Sequence, residues 1–419
     1  MTRTTRLPAF ATATLLAVAL ASPTTAKDLP IAAPEKAGMS TERLARMDKA
    51  IHDYVDAGRT PGVVTVIVRH GKVVHVDAYG KADASGRATR TDDLFRMYSM
   101  TKPITSVALL MLYEEGKFQL TDPLSKYFPA FADSKVYAGT TAQGRMLLDS
   151  PKRPITIQDV FRHTAGFGYG FGGPTSADKA WVEANLMGKG LDDVVEKAAK
   201  LPLLYQPGEK WVYSVSHDIQ AALVQKLSGM PFDEFVRQRI FAPLGMKNAY
   251  FKIPADQKGR VPAQYANAPG GKIVVDNSPM GANYGDTVFG GLSISTAASD
   301  YARFAQMLLN KGELDGVRLL SPKTVELMAQ NHLPAAAMAA GGVSPGTGYG
   351  LGVSVLLDPA AKGNLGSVGE FGWSGAASTH LLIDPKEDLV AVYCTQLMGG
   401  DMGLRSEFAT FLYQAIVAP

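Results

Sequence analysis

Hydrophobic and polar residues are arranged in patterns that predict β-strands near both ends of the chain. Two runs rich in β-branched residues, 63–68 and 73–79, surround His70-Gly71-Lys72, which is typical of a β-hairpin. Near the C-terminus, apolar runs at 378–383 and 389–395 flank a short polar turn. Connections this short join antiparallel strands, so we expect two antiparallel pairs.

Apolar residues at helical spacing predict helices before, between and after these strands. Ser40 is a suitable N-cap for the first helix, and Gly58 follows its end. The region from about residue 120 to 290 reads as helical patches between long loops rich in Gly and Pro. The clearest predicted helices cover residues 40–57, 104–113, 157–162, 217–227, 299–309 and 404–416.

Strands at both ends and helices between them favour an α/β (α+β) fold built on one antiparallel sheet. In this arrangement the N- and C-terminal strands share the sheet, the first and last helices flank it, and the middle of the chain is a helical insertion. We therefore expect a sheet subdomain of about residues 40–100 plus 287–419, and a helical region of about residues 101–286.

Composition excludes several classes of protein. Hydrophobic residues make up 46% of the 419 positions, which is enough for a sizeable core and rules out an intrinsically disordered chain. The net charge of +3 is too small to indicate nucleic-acid binding. The single cysteine, Cys394, cannot form an intrachain disulfide, and its apolar neighbours predict a buried side chain. No pair of His or Cys has the spacing of metal ligands, so we expect no metal site.

The first 26 residues have the pattern of a secretory signal peptide. Arg3 and Arg6 precede a mostly apolar stretch at 7–21, and Thr24-Thr25-Ala26 supplies small residues before a cleavage point. The stretch is short for a membrane span, and no cysteine near the cleavage point could carry a lipid. We therefore expect a periplasmic or secreted protein of residues 27–419 without a stable membrane anchor. An uncleaved membrane anchor is the alternative.

Two short motifs match known fingerprints by letter but lack the required context. The G-x-G-x-x-G match at 168–173 would be a dinucleotide-binding loop only between a strand and a helix, and Pro174 follows it here. A flexible loop is the simpler interpretation. The G-x-S-x-G match at 342–346 would be a nucleophile elbow around Ser344, in which the next residue donates its backbone N–H. That residue is Pro345, which has no N–H.

A third motif, S-x-x-K, pairs Ser99 with Lys102 and, a second time, Ser176 with Lys179. Ser99 precedes the apolar helix predicted at 104–113, and residues three apart share a helix face, so Lys102 can reach the Ser99 hydroxyl. The positive end of the helix dipole and burial both disfavour an ammonium, which makes Lys102 a usable base. Free N–H groups at this helix end could bind an oxyanion. The alternative interpretation of Ser99 and Lys102 is a capping serine beside a surface lysine. Ser176 and Lys179 lie in a polar segment, which favours a solvated surface for that second pair.

The segment around Ser99 and a series of later segments resemble the serine β-lactamase-like family. F-R-M-Y-S-M-T-K at 95–102 resembles the nucleophile region of that family. Within it, the chain is most similar to class C β-lactamases and family VIII carboxylesterases, which implies an antiparallel sheet flanked by helices, a helical region, and an active site between the two. The later matches follow in the family's order: E-G-K at 115–117, L-T-D-P-L at 120–124, H-T-A-G-F at 163–167, P-G at 207–208, Y-S-V-S at 213–216, F-A-P-L-G-M at 241–246, G-G-L-S at 290–293 and S-T-A at 295–297.

The resemblance also implies roles for individual residues. Ser99 would be the acylated nucleophile, Lys102 its partner, and Tyr213 the second proton carrier. A buried aromatic side chain with a satisfied hydroxyl is the alternative role for Tyr213. Val215 stands where β-lactamases have an Asn that binds the substrate amide.

The family's K-T-G element corresponds to Trp373-Ser374-Gly375, just before the strand predicted at 378–383. An indole cannot replace the lysine ammonium, but it forms a flat apolar wall, which favours neutral esters. We expect these three residues to bind substrate. The backbone N–H groups of Ser99 and Ala376 are expected to form the oxyanion hole.

Together these observations predict a serine hydrolase that cleaves short-chain, neutral carboxylic esters through an acyl-enzyme on Ser99, with no cofactor. The expected partner is a small-molecule ester. A β-lactamase or D-alanyl peptidase that acts on β-lactams or peptidoglycan peptides is the second hypothesis. A non-catalytic penicillin-recognising or cell-wall-binding protein is the third, and the presence of Ser, Lys and Tyr together argues against it.

Overall fold

Strands from both ends of the chain build one central sheet, in a computed structural model that describes residues 27–278, 287–400 and 402–419. The predicted signal peptide, residues 1–26, lies outside the described residues. No helix within the described ranges is long and apolar enough to cross a membrane. The strands are β1 (Val63–Arg69), β2 (Lys72–Tyr79), β3 (Phe95–Arg96), β4 (Val136–Thr140), β5 (Met146–Asp149), β6 (Ala249–Tyr250), β7 (Tyr265–Ala268), β8 (Lys272–Val275), β9 (Ser295–Thr296), β10 (Glu313–Leu314), β11 (Val317–Arg318), β12 (Thr347–Tyr349), β13 (Ser354–Leu356), β14 (Phe371–Ser374), β15 (His380–Asp384), β16 (Leu389–Cys394) and β17 (Leu397–Met398).

The main sheet has seven strands in the order β12-β13-β14-β15-β16-β1-β2. Each neighbouring pair is antiparallel, and β1 joins the N-terminal hairpin to the C-terminal strand β16. Every residue of β1 is buried, because β1 lies between two strands and both of its faces are covered. The predicted antiparallel sheet with strands from both ends of the chain is therefore confirmed.

Helices cover both faces of this sheet. Val63 and Ile67 of β1 belong to one core cluster with residues of the first and last helices, while Val64 and Val66 face a larger core on the other side. The helices are α1 (Thr41–Asp56), α2 (Thr101–Glu114), α3 (Ile157–Phe161), α4 (Ser176–Glu183), α5 (Leu191–Lys200), α6 (Ser216–Ser228), α7 (Phe232–Val236), α8 (Ala298–Leu309), α9 (Pro322–Met328), α10 (Ala335–Ala339), α11 (Pro359–Lys362) and α12 (Met402–Tyr413).

The middle of the chain is not purely helical, which corrects the prediction for residues 120–290. The hairpins β4–β5 and β7–β8 both lie in this region. Most of their residues are half-buried or exposed, so they lack the buried face that makes a strand visible as alternating hydrophobicity. The hairpin β7–β8 joins β17 by a parallel pairing, which attaches it to the C-terminal part of the chain.

Helix α2 is the element that positions the site. It is buried on all sides from Thr101 to Leu112 and packs against α6. It begins three residues before the predicted start, and Pro103 is accommodated because the first turn of a helix needs no N–H from it. A short 3₁₀ turn, Tyr98–Met100, leads directly into α2 and carries Ser99.

Candidate active site

The backbone immediately before Ser99 is held in an uncommon conformation. Tyr98 has φ of 46°, in the left-handed region that side chains other than glycine rarely adopt. The Tyr98 ring is buried, and its hydroxyl donates to Gln264 Oε1 at 3.1 Å. Burial raises the pKa of Tyr98 to about 12. The conformation is therefore fixed by a buried, neutral anchor, and such strain is typical of functional sites.

Three side chains predicted to be catalytic meet at the Ser99 hydroxyl. Lys102 Nζ donates to Ser99 Oγ at 3.2 Å, and Tyr213 Oη donates to the same oxygen at 2.7 Å. Lys102 is fully buried and also donates to the Gly291 carbonyl at 2.9 Å. Its Nζ lies 4.6 Å from the centre of the Tyr213 ring. Either of these two groups can accept the Ser99 proton once it has released its own.

The segment that corresponds to K-T-G lies beside the Ser99 turn. Thr379 Oγ1 donates to the Met97 carbonyl at 3.2 Å, and a β-carbon on Gly375 would lie 2.3 Å from that same oxygen. Gly375 is required because no larger residue fits against the Met97 backbone. Ala376 is exposed in the turn that follows, and this turn closes through the Ser378 N–H to the Gly375 carbonyl at 3.0 Å.

The strand boundaries around this segment differ from those predicted. Trp373 and Ser374 end a strand of their own, β14, and β15 begins only at His380. Ser378 lies in the intervening turn with φ of 65°. Strand β14 has only four residues and contains Gly372, so its sequence carries no clear alternation.

Aromatic side chains line the space next to Tyr213. The Tyr169 ring stacks on the Tyr213 ring with centres 5.4 Å apart, and Phe171 stacks on the outer side of Tyr169 at 4.4 Å. Trp373 lies 5.8 Å from Tyr213, measured between ring centres. Phe171 is 74% exposed, so the aromatic series extends from the Ser99 hydroxyl to solvent. The glycine-rich segment 168–173 supplies two of these rings and forms no dinucleotide-binding turn.

Buried titratable side chains that no sequence motif assigned to the site lie near Lys102. Burial, together with the Lys102 charge, lowers the pKa of His163 well below its usual range, and burial, His163 and Lys102 do the same for His217. Burial raises the pKa of Asp218 to about 6, although Lys102 opposes this. His217 and Asp218, polar residues in the first turn of α6 shortly after Tyr213, are the sequence signal that could have indicated this group of side chains.

The remaining sequence motifs do not form sites. Ser344 lies in a loop, where its carbonyl accepts a hydrogen bond from Thr347 Oγ1. It does not lie on the strand-to-helix turn of a nucleophile elbow. The Ser176 hydroxyl pairs with Thr140 Oγ1 on an exposed surface, as expected. Cys394 is a free, buried cysteine. Within the described ranges, no group of three or more His, Cys, Asp or Glu side chains is placed to hold a metal ion.

Comparison with known proteins identifies the class to which this fold and site belong. Residues 47–413 match the Beta-lactamase family, so the chain belongs to that family. It is 33% identical over 363 residues to Protein Rv1367c of Mycobacterium tuberculosis, which covers 83% of this chain and 88% of that protein. It is 28% identical over 362 residues to Esterase EstB of Burkholderia gladioli, covering 81% of this chain and 87% of that protein.

Solved structures show the same fold. EstCE1, described as a hydrolase with promiscuous acyltransferase activity, superposes with a TM-score of 0.74 at 23% identity and covers 89% of this chain and 99% of its own. The family and the relatives together identify the chain as a serine hydrolase of the β-lactamase-like type.

Proposed function

We propose that the protein cleaves carboxylic esters through an acyl-enzyme on Ser99. The observation that carries this proposal is the position of Ser99 Oγ, within hydrogen-bonding distance of both Lys102 Nζ and Tyr213 Oη. Ser99 attacks the ester carbonyl and gives its proton to one of these two groups, which then passes a proton to the leaving alcohol. The backbone N–H groups of Ser99 and Ala376 hold the oxyanion. Water releases the acyl group in the second half-reaction.

Neutral, short-chain esters are the proposed substrates because two polar groups used for β-lactams are replaced. Trp373 presents an aromatic wall where the family has a lysine, and Val215 is fully buried where β-lactamases have Asn. A charge-assisted hydrogen bond contributes roughly 1.5–3 kcal/mol. Loss of two such bonds in the transition state would cost a β-lactam on the order of 10²–10⁴-fold in rate. A neutral ester has neither group and loses nothing.

A substrate panel tests this proposal. We expect kcat/KM for p-nitrophenyl acetate or butyrate to exceed kcat/KM for nitrocefin by at least about 10²-fold, and a D-Ala-D-Ala peptide to be a poor substrate. Trp373→Lys should raise kcat/KM for nitrocefin and so reduce the ratio of ester to nitrocefin efficiency. The matched variant Trp373→Phe keeps the apolar wall and should leave this ratio unchanged. Equal efficiency on nitrocefin or efficient cleavage of the peptide would assign the protein to the β-lactamases or D-alanyl peptidases instead.

We also propose that the protein is exported and cleaved near Ala26. The basic residues, apolar stretch and small residues of 1–26 support this proposal. Mass spectrometry of the protein recovered from the periplasm or medium should show a chain that begins near Lys27 and carries no lipid. An intact Met1 or a mass increase from a lipid would contradict it.

A further inference from the structure

Three polar atoms from different parts of the chain converge on one point beside Gly291. A β-carbon on Gly291 would lie 3.1 Å from Tyr169 Oη, 3.2 Å from Lys102 Nζ and 3.3 Å from Asp218 Oδ2. Gly291 does not have a left-handed φ, so its backbone conformation does not require glycine. The three polar atoms therefore lie closely around the Gly291 Cα, and Asp218 Oδ2 is at most about 6.5 Å from Lys102 Nζ, a separation that one water molecule can bridge.

The groups around this point are buried. Asp218 and Lys102 are both fully buried. The Gly291 N–H donates to Asp218 Oδ1 at 3.0 Å, and its carbonyl accepts from Lys102 Nζ at 2.9 Å, so one peptide unit connects the two side chains. Asp218 Oδ2 has no hydrogen-bond partner among the described residues. A buried carboxylate oxygen without a partner is costly, which indicates that a ligand satisfies it.

We propose that a water molecule bound beside Gly291, between Asp218 Oδ2 and Lys102 Nζ, links the two side chains, and that Asp218 takes up the proton that Lys102 must release before it can accept one from Ser99. Such a water would bind Asp218 and Lys102 as two polar partners, within the range of two to four hydrogen bonds that buried waters make. This inference rests on the proposed function, because it assigns Lys102 the role of a base toward Ser99.

The proton transfer is balanced without any further reactant. The Lys102 ammonium loses one N–H proton to the water, and the water gives another of its protons to Asp218 Oδ2. The ammonium and carboxylate become a neutral amine and a carboxylic acid, and the water is regenerated. Burial favours this neutral pair because two separated charges in a low-dielectric interior are costly. The raised pKa of Asp218, about 6, supports the assignment.

Other titratable groups surround Asp218, and they do not replace it. Lys102 faces it from α2, Tyr169 faces it from the loop after α3, and Tyr213 precedes α6. His217 is its neighbour in α6, and His163 lies against His217 with ring centres 4.9 Å apart. Burial keeps the pKa of both histidines well below the usual range, so both stay neutral when Asp218 titrates.

The pH profile of kcat/KM for p-nitrophenyl acetate tests this role. Asp218→Asn removes the proton acceptor, so Lys102 must lose its proton unaided, and we expect the acid limb to move to higher pH by about one unit or more. Activity should fall about tenfold near pH 6 and recover near pH 9. Gly291→Ala puts a methyl group 3.2 Å from Lys102 Nζ and 3.3 Å from Asp218 Oδ2, crowds the space between them and should move the acid limb in the same direction. The double variant should move the acid limb no further than Asp218→Asn does, because both substitutions interrupt the same proton transfer.

Two matched variants control for general effects. Asp300→Asn removes another buried carboxyl whose pKa burial raises, and Gly259→Ala adds a methyl group at a glycine with nothing within 4 Å. Both should keep the parent profile. An unchanged acid limb in Asp218→Asn, an equal loss of activity at every pH, or additive shifts in the double variant would overturn the proposal.

The same comparison can be made without ester turnover. Labelling of Ser99 by a fluorophosphonate, followed by mass spectrometry over the same pH range, reports how readily the Ser99 hydroxyl loses its proton. If the parent chain hydrolyses no ester but its labelling rate shows the shift in Asp218→Asn, the proposed substrate class is wrong and the role of Asp218 stands. A labelling rate with identical pH dependence in the parent and Asp218→Asn overturns the role of Asp218.

Discussion

Asp159 and Asp218 are both completely buried, yet their pKa values move in opposite directions. Burial alone would raise the pKa of Asp159, but hydrogen bonds and charge from Arg153 and Arg162 outweigh it and lower the value to about 2. The two guanidinium groups donate to Asp159 Oδ1 at 3.0 and 2.9 Å. Asp218 has no arginine, and burial raises its pKa to about 6.

This difference in pKa distinguishes a cluster around Asp159 that stabilises the fold from a cluster around Asp218 and Lys102 that can take part in the reaction. Asp159 also forms the capping box of α3 with Thr156 and accepts from Thr164 Oγ1 at 2.9 Å, so both of its oxygens are used. The Asp218 Oδ2 oxygen, by contrast, faces Lys102 and Tyr169. A fully paired carboxylate stabilises the fold around it, whereas a carboxyl that is left short of partners beside a nucleophile can change its protonation during a reaction.

The largest effect is expected from Ser99→Ala, which removes the atom on which Lys102 and Tyr213 converge. We expect kcat/KM for p-nitrophenyl butyrate to fall on the order of 10⁴-fold or more. The free energy of unfolding should change little, because the groups around Ser99 serve the reaction and not the fold. Steady-state kinetics and urea unfolding of the same preparation measure both quantities.

Ser344→Ala and Ser176→Ala are the matched controls for this variant, since both serines lie in motifs of similar letters. Each should retain most of the parent activity. Retained activity in Ser99→Ala together with loss in Ser344→Ala would indicate a nucleophile elbow at Ser344. The groups around Ser99, including Asp218, would then have no role in the reaction.

Strong local patterns explain which parts of the fold could be predicted. Strand β1 and helix α2 have long apolar runs because β1 is buried on both faces and α2 is buried all round from Thr101 to Leu112. Strands β12, β13 and β14 have three or four residues each and were missed, because a strand this short shows too few positions for a period to be visible.

The site could be predicted only as far as it is local or resembles a family. Ser99 and Lys102 are three residues apart on one helix start, whereas Tyr213 is 114 positions from Ser99 and was found through the resemblance. Asp218 and His163 owe their properties to burial against Lys102, which depends on the packing of α6 on α2. No spacing in the sequence contains that information.

A smaller effect, on stability instead of activity, is expected from Asp159→Asn. The substitution leaves Arg153 and the nearly buried Arg162 without their carboxylate, so the free energy of unfolding should fall by about 3 kcal/mol. The kcat/KM of the folded fraction should stay within about twofold of the parent value. Asp218→Asn should show the reverse pattern, with unchanged or increased stability and an altered pH profile. Equal destabilisation by both variants, measured by urea unfolding near pH 7, would mean that the two clusters do not differ in kind.

The smallest expected effects concern how stability depends on pH, and they have opposite signs at the two aspartates. The folded pKa of Asp159, about 2, lies below its usual value. Its contribution of about 2 kcal/mol is therefore present above about pH 4 and is lost as the pH falls toward about 2. The folded pKa of Asp218, about 6, lies above its usual value. The folded state then keeps a proton that the unfolded chain releases, so this group lowers stability as the pH rises from about 4 to about 6.

Differences between the parent and each variant isolate these contributions from those of the other carboxyl groups. The stability advantage of the parent over Asp159→Asn should shrink as the pH is lowered below about 4, because protonation removes the charge that the arginines bind. The stability of Asp218→Asn relative to the parent should increase as the pH is raised from about 4 to about 6, because the amide resembles the protonated acid and never has to ionise in the interior. Urea unfolding of the three proteins across this range measures both trends. If the stability of each variant relative to the parent changed in the same direction with pH, the environments of Asp159 and Asp218 would be alike, and the case for Asp218 as a proton acceptor would lose its electrostatic support.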